Sequence, residues 1–190
     1  MKGMKYHDYI WDLGGTLLDN YETSTAAFVE TLAQYGIVQE HDRVYEALKV
    51  STAFAIEKFA PDIEDFLENY KENEARELEH PVLFEGIPEL LKDISDKGGR
   101  HFLVSHRNDQ VLELLSKTRI ANYFTEVVTA SSSFKRKPDP ESMIYLRDKY
   151  HITSGLVIGD RKIDVEAGKA AGLDAYLFDN VATLRRAIDM

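Results

Sequence analysis

The chain has 190 residues, 44% of them hydrophobic and 29% charged, with a formal net charge of −10. That balance suits one domain, or one domain with an insert, that can bury a real core. The charge argues against a nucleic-acid backbone or an anionic membrane as main partner, so an anionic ligand must be met by local positive charge or a metal. With no cysteine, disulfides, thiol catalysis and Cys-ligated zinc are excluded. The segment Met1–Asp8 has no apolar signal-peptide core, and no apolar run approaches a membrane span, so a cytoplasmic location is expected. The sequence does not set an oligomeric state.

Residues 6–12 read as a first strand, a hydrophobic run that ends in Asp12 and opens into Gly14-Gly15-Thr16. A buried strand ending this way delivers its carboxylate to the carboxyl edge of a sheet, where open α/β sheets bind ligands, and glycines let backbone N–H groups approach an anion. An ordinary Gly-Gly turn gives the same pattern. Thr23 or Ser24 is the expected cap of a helix carrying Phe28, Leu32 and Tyr35 on one face and ended by Gly36. Val44, Tyr45 and Leu48 predict a second helix, and Phe54, Ile56 and Phe59 a short third before Pro61. From Asp62 an acidic helix is expected with Ile63, Phe66, Leu67 and Tyr70 in one stripe. Residues 20–82 thus hold no strand candidate.

After Pro81 the pattern changes. A helix on Leu90, Leu91 and Ile94 is stopped by Gly98-Gly99. A strand His101–Ser105 follows, then a helix on Val111, Leu112 and Leu115, a strand near 126–129 and a Pro-led helix from about Pro140 on Met143, Ile144 and Leu146. Gly155–Gly159 reads as a short buried strand ending at Asp160. A helix with Val165, Ala167, Ala170 and Ala171, a strand Ala175–Phe178 and a helix on Val181, Leu184 and Ile188 complete the chain. Strands alternating with helices imply right-handed crossovers and a parallel sheet covered on both faces. The expectation is an α/β core, residues 1–19 and 83–190, interrupted by a helical segment, residues 20–82.

Four points sit after a strand or at a helix start: Asp12 with Thr16, then Ser105, then Lys137, then Asp160 with Asp164. Singly, Ser105 reads as a helix cap, Lys137 as part of a solvated basic loop and Asp160 as a strand end that caps a helix. Their joint order is the stronger signal. The motifs Asp12-Leu13-Gly14-Gly15-Thr16-Leu17, Ser105 after Phe102-Leu103-Val104, Lys137-Pro138-Asp139-Pro140 and Gly159-Asp160-Arg161-Lys162-Ile163-Asp164 closely resemble the haloacid-dehalogenase-like hydrolase superfamily. The nearest branches are the phosphoglycolate-phosphatase-like and β-phosphoglucomutase-like members, and the resemblance covers nearly the whole chain.

The resemblance implies a three-layer α/β/α Rossmann-like fold with a small helical cap inserted after the first strand. It implies Asp12 as a nucleophile forming an aspartyl-phosphate. It implies Mg²⁺ held by Asp12, the Gly14 main-chain carbonyl and Asp160. Asp164 would orient a metal-bound water or brace Lys137. Thr16 and Ser105 would hold phosphoryl oxygens, and Lys137 would neutralise their developing charge. A cap points to a small phosphorylated metabolite as substrate. Lys49 lies where relatives carry a substrate-specificity loop, and His106, Arg107 and Arg161 adjoin motif residues; each is a candidate substrate contact, and a solvated helix lysine is an equal reading of Lys49.

One position departs from the family pattern. Its phosphatases and mutases carry an acid/base aspartate two residues after the nucleophile, where this chain has Gly14. Glycine keeps the main-chain ligand but moves no proton, and general acid–base catalysis is worth 10²–10⁴ in rate. Four readings stay open: a weak or unusual Mg²⁺ phosphatase, with substrate, water or a residue such as Tyr21, Glu22 or His41 transferring the proton; carbon–phosphorus hydrolysis like that of phosphonoacetaldehyde hydrolases, with Lys49 as Schiff-base lysine if its amine is desolvated; carbon–halogen hydrolysis, against which the metal-type motif at Asp160 and Asp164 argues; and a phospho-metabolite-binding protein without turnover.

Overall fold

The computed structural model describes residues 3–190. In chain order the elements are β1 (Asp8–Trp11), α1 (Asn20–Gln34), α2 (His41–Val50), α3 (Thr52–Phe59), α4 (Phe66–Glu77), α5 (Ile87–Asp96), β2 (Arg100–Val104), α6 (Gln110–Lys117), β3 (Phe124–Val128), α7 (Glu141–Lys149), β4 (Gly155–Gly159), α8 (Lys162–Ala170), β5 (Asp174–Leu177) and α9 (Val181–Ala187). They form two compact units: the chain up to Leu18 joined with Leu83–Met190, and Asp19–Val82.

The first unit is a five-stranded sheet in the order β3-β2-β1-β4-β5, with every neighbouring pair parallel. All four residues of β1 and all five of β4 are buried, as expected of strands covered on both faces. Alternate side chains feed opposite cores. Tyr9, Trp11, Leu103, Leu156 and Ile158 pack with Leu90, Leu91, Ile94, Leu115 and Leu184. Ile10, Phe102, Val104 and Val157 pack with Met143, Leu146, Ala167 and Ala171. Helices therefore lie on both faces, which makes a three-layer α/β/α arrangement. The small residues of α8 have a geometric cause: a Cβ on Gly168 would lie 2.8 Å from Val157 Cβ, so α8 approaches β4 more closely than a larger residue allows.

One polar relay crosses the first core. Trp11 Nε1–H donates to His101 Nδ1 at 3.0 Å, so the His101 proton sits on Nε2, 3.0 Å from the Leu91 carbonyl. Burial pushes His101 down to about 4, and the ring is neutral in the fold.

The second unit holds α1–α4 around Phe28, Leu32, Val44, Phe59, Phe66 and Tyr70, with no strand. The α1 cap is Asp19, whose carboxylate accepts the Glu22 N–H at 3.1 Å; Thr23, offered by the sequence as the cap, is buried inside the helix. Asp19 also donates its own N–H to the Val82 carbonyl, which ties the two ends of this unit. Helix α4 starts at Phe66 rather than Asp62 and buries Phe66, Tyr70 and Asn73. Leu67, expected in that stripe, is exposed, as is Leu112 in α6. In α6 the buried set is Val111, Leu114 and Leu115, the i, i+3, i+4 spacing of a single helical face. Ala170 of α8 is exposed as well. Strand β2 stops at Val104, which leaves Ser105 just beyond the sheet. Among the described residues, no helix is long and apolar enough to cross a membrane.

Candidate active site

The sheet's chain order reverses at β1, which is the position where open α/β sheets bind ligands. Trp11 is in register with Leu103 of β2 and Ile158 of β4. The residues that follow, Asp12, Val104-Ser105 and Gly159-Asp160, emerge side by side at the carboxyl edge. Asp12 donates its N–H to the Ile158 carbonyl at 2.9 Å, which extends the β1–β4 ladder to the carboxylate.

A tight turn follows. The Leu13 carbonyl accepts from the N–H groups of Thr16, Leu17 and Leu18. Gly15 has φ +79° and faces Asp160 at such close range that a Cβ there would lie 2.1 Å from Asp160 Oδ2. Thr16 is fully buried and donates its hydroxyl to Asp160 Oδ1 at 3.3 Å. Gly14 forms a short bridge with Leu18 and, unlike Gly15, does not have a positive φ.

Lys137 enters from the β3–α7 connection with its side chain only 3% exposed. Its Nζ donates to Asp12 Oδ1 at 2.8 Å, Asp164 Oδ1 at 2.6 Å and the Val104 carbonyl at 3.2 Å, so all three ammonium protons are committed. Asp164 is buried at the start of α8, and its Oδ2 accepts the Arg161 N–H at 3.1 Å. Both of its oxygens are thus engaged in holding Lys137 and the helix start.

Asp12, Asp160 and Asp164 each place a carboxylate oxygen within 4.8 Å of the others. One lysine faces three carboxylates. Asp160 is pushed up to about 6, first by burial and then by the Asp12 charge. Asp164 is raised by burial and by Asp12, with Lys137 opposing. The site is short of positive charge, and its donors are oxygens, the chemistry that a hard divalent cation requires. Asp12 and Asp160 retain oxygens that Lys137 does not use, so the residues fit Mg²⁺.

Ser105 is not a helix cap: α6 begins at Gln110, and Ser105 Oγ accepts the Arg107 N–H at 3.2 Å, which leaves its proton free to donate. His106 Nε2 accepts the backbone N–H of Lys137 at 2.8 Å, so its proton lies on Nδ1. Burial, then Lys137 and Arg136, hold His106 below the usual imidazole range. This bond ties the β2–α6 loop to the Lys137 loop. The sequence carried no signal for it beyond the adjacency of His106 to Ser105.

The structure thus hydrogen-bonds Lys137 to Asp12 and Asp164 and Thr16 to Asp160, with the three carboxylates within 4.8 Å of one another and Ser105 and His106 at the edge. Arg107 is partly buried and Arg161 exposed; among the described residues neither guanidinium has an ion-pair partner. Lys49 belongs to the helical unit, on α2. Its side chain is 48% exposed and lies 3.7 Å from Glu46.

A doubly wound parallel sheet with an aspartate after its central strand, held by a buried lysine and two further aspartates from later loops, defines a Rossmann-like α/β protein with one acidic, cation-ready centre. The family model for haloacid dehalogenase-like hydrolases matches residues 9–178, and the chain belongs to that family of hydrolases. A crystal structure described as a hydrolase from Streptococcus pneumoniae TIGR4 is 77% identical, spans 98% of this chain and 100% of its own, and superposes with a TM-score of 0.95. A phosphoglycolate phosphatase from Aquifex aeolicus is 26% identical over 88% of this chain and 82% of its own length. An N-acetylmuramic acid 6-phosphate phosphatase from Pseudomonas putida is 28% identical over 89% and 81%.

Proposed function

We propose that this protein is a Mg²⁺-dependent phosphatase that acts on a small phosphorylated metabolite through an aspartyl-phosphate on Asp12. The observation that carries this reading is the position of Lys137 Nζ, between Asp12 at 2.8 Å and Asp164 at 2.6 Å. That arrangement fixes the Asp12 carboxylate and sets a cation where phosphoryl charge would gather. The relatives named as phosphatases support the substrate class.

In this reading Asp12 attacks phosphorus, the bond from phosphorus to the leaving oxygen breaks, and water later hydrolyses the acyl phosphate. The Thr16 and Ser105 hydroxyls would bind the phosphoryl oxygens, and Lys137, its three protons held by Asp12, Asp164 and the Val104 carbonyl, would offset their charge through space. Asp12, the Gly14 carbonyl and Asp160 would hold Mg²⁺, which supplies charge neutralisation between carboxylate and phosphoryl group. Asp164 braces Lys137, as its engaged oxygens indicate. The segment Asp19–Val82 stands in sequence where the family's cap is inserted, and a cap favours small substrates.

Gly14 offers no side-chain proton, so the leaving oxygen must take one from the substrate, water or another residue, and a low rate follows. Carbon–phosphorus hydrolysis through Lys49 gains no support, because a half-exposed amine beside Glu46 is not the desolvated amine that Schiff-base chemistry needs.

The test is phosphate release from a panel of small phosphoesters, with and without Mg²⁺. Wild type should release phosphate only with Mg²⁺, and Asp12→Asn should lower the rate by at least about 10³-fold. Equal rates in the two proteins would remove Asp12 from the mechanism. Tight metabolite binding with no release from any ester would turn the reading to a non-catalytic binder.

A further inference from the structure

A small cavity lies in the α/β unit between the loops that follow β2 and β3. Its volume is about 160 Å³, and its walls include Ser105, His106, Thr129, Lys135, Arg136 and Ser142. Drug-sized ligands occupy larger pockets, roughly 300–1,000 Å³. At roughly 30 Å³ per water, this space takes one small ion with a few waters.

Val104, Val128, Ala130 and Phe134 form an apolar part of the lining, and the polar part is one-sided. Ser142 is 2% exposed, and its Oγ is a buried hydroxyl with no hydrogen-bond partner. Buried polar groups are ordinarily paired, and an orphan calls for a ligand or an ordered water. Lys135 and Arg136 are exposed cations whose side chains form no ion pair among the described residues. Ser105 Oγ already accepts the Arg107 N–H and His106 Nε2 the Lys137 N–H, so what both retain is a donor. The Thr129 hydroxyl is spent on Asp109, and Glu141 is engaged by the Lys135 N–H. Unused donors and positive charge thus collect in one recess of a chain with net charge −10.

We propose that this cavity is a binding site for a small oxyanion, a phosphate or a carboxylate, held by Arg136, Lys135 and the Ser142 hydroxyl. It adjoins the Asp12 centre, with Val104, Ser105 and His106 as the common wall, while Lys135, Arg136 and Ser142 line only the cavity. Binding requires no turnover, so the site stands or falls independently of the phosphatase reading.

The test is titration of inorganic phosphate, and separately oxalate, into the full chain in Mg²⁺-free buffer, read by backbone amide NMR shifts. Saturable shifts are expected at Thr129, Ala130 and Ser142, with at least tenfold weaker affinity in the Lys135→Glu/Arg136→Glu variant. Those two positions are exposed, so the fold should be kept, and an unchanged amide spectrum elsewhere checks this. Ser142→Ala should weaken binding several-fold. Saturation by phosphate alone assigns a tetrahedral oxyanion, and saturation by oxalate a carboxylate; either supports the site. Saturation by neither, shifts confined to Gly14–Thr16, or unchanged affinity in the double-charge variant would overturn it.

Discussion

Gly15 and Asp160 are 145 positions apart, yet the turn after β1 packs so tightly on the end of β4 that a Cβ at Gly15 would stand 2.1 Å from Asp160 Oδ2. Gly15 also has φ +79°, a conformation that costs an L-residue about 1 kcal/mol or more. Gly15→Ala should therefore destabilise the protein by more than about 1 kcal/mol in urea unfolding. It should also displace the Asp160 carboxylate, so calorimetry should record a loss of Mg²⁺ affinity. Unchanged stability and affinity would mean that the turn relaxes without cost.

Gly14 differs from its neighbour, since its backbone does not have a positive φ and an L-residue there carries no left-handed strain. If the phosphatase reading is right, Gly14→Asp adds the missing acid/base. Phosphate release should rise by about 10²–10⁴-fold, or roughly 3–5.5 kcal/mol of barrier. A variant that folds and binds Mg²⁺ but shows no gain would locate the proton transfer elsewhere.

Asp164 is 1% exposed and joins Lys137 Nζ at 2.6 Å to the Arg161 N–H at 3.1 Å. Truncating one partner of a buried ion pair leaves the other charge poorly compensated. Asp164→Ala should cost about 3 kcal/mol of stability and lower the rate of phosphate release, because Lys137 loses its anchor away from Asp12. Asp164→Asn keeps an acceptor for Lys137 and should cost less. Equal unfolding midpoints for Ala and wild type would show that Lys137 is held by Asp12 and Val104 alone.

His101 gives a pH dependence with a definite sign. Burial lowers it from 6.5 to about 4 in the fold, so the unfolded chain binds its proton more readily. Its contribution to stability is complete above pH 6.5 and is lost as pH falls from 6.5 toward 4, by up to about 3 kcal/mol. Asp160, pushed up to about 6, acts in the opposite sense, because the folded state holds its proton more tightly. The two are separated by comparing wild type with His101→Leu in urea at pH 4.5 and pH 7. The variant should be less stable at pH 7, where Trp11 loses its acceptor, and should lose less on acidification. A parallel pH profile for both proteins would remove His101 as the source.

Much of this was legible in the sequence. Continuous apolar strands, their alternation with helices and the strand-end residues Asp12, Ser105 and Asp160 define a parallel α/β sheet with its site at one edge. A strand buried on both faces must be apolar throughout, and the chain must stop being apolar where it reaches solvent and ligand. Helix ends were less legible. Asp19 rather than Thr23 caps α1, because the chain enters that helix with the Asp19 N–H bonded to Val82, a partner 63 positions away that local pattern does not report. Leu67 and Leu112 look apolar in sequence, but helix rotation, set by what packs opposite, leaves them exposed.

The sequence by itself determined which groups are available for chemistry: an aspartate after the first strand, a lysine, two further aspartates, and glycine rather than a second acid at position 14. Tertiary structure alone decided how those groups share charge. Strand register set Asp12 beside Asp160, the β3–α7 loop brought Lys137 onto Asp12 and Asp164, and His106 was turned onto the Lys137 backbone. The same loop and the start of α7 left Arg136 and the buried Ser142 hydroxyl lining one cavity beside that centre. Hydrogen bonds and electrostatic shifts depend on distances of a few ångström between residues far apart in the chain, and only the folded sheet fixes those distances.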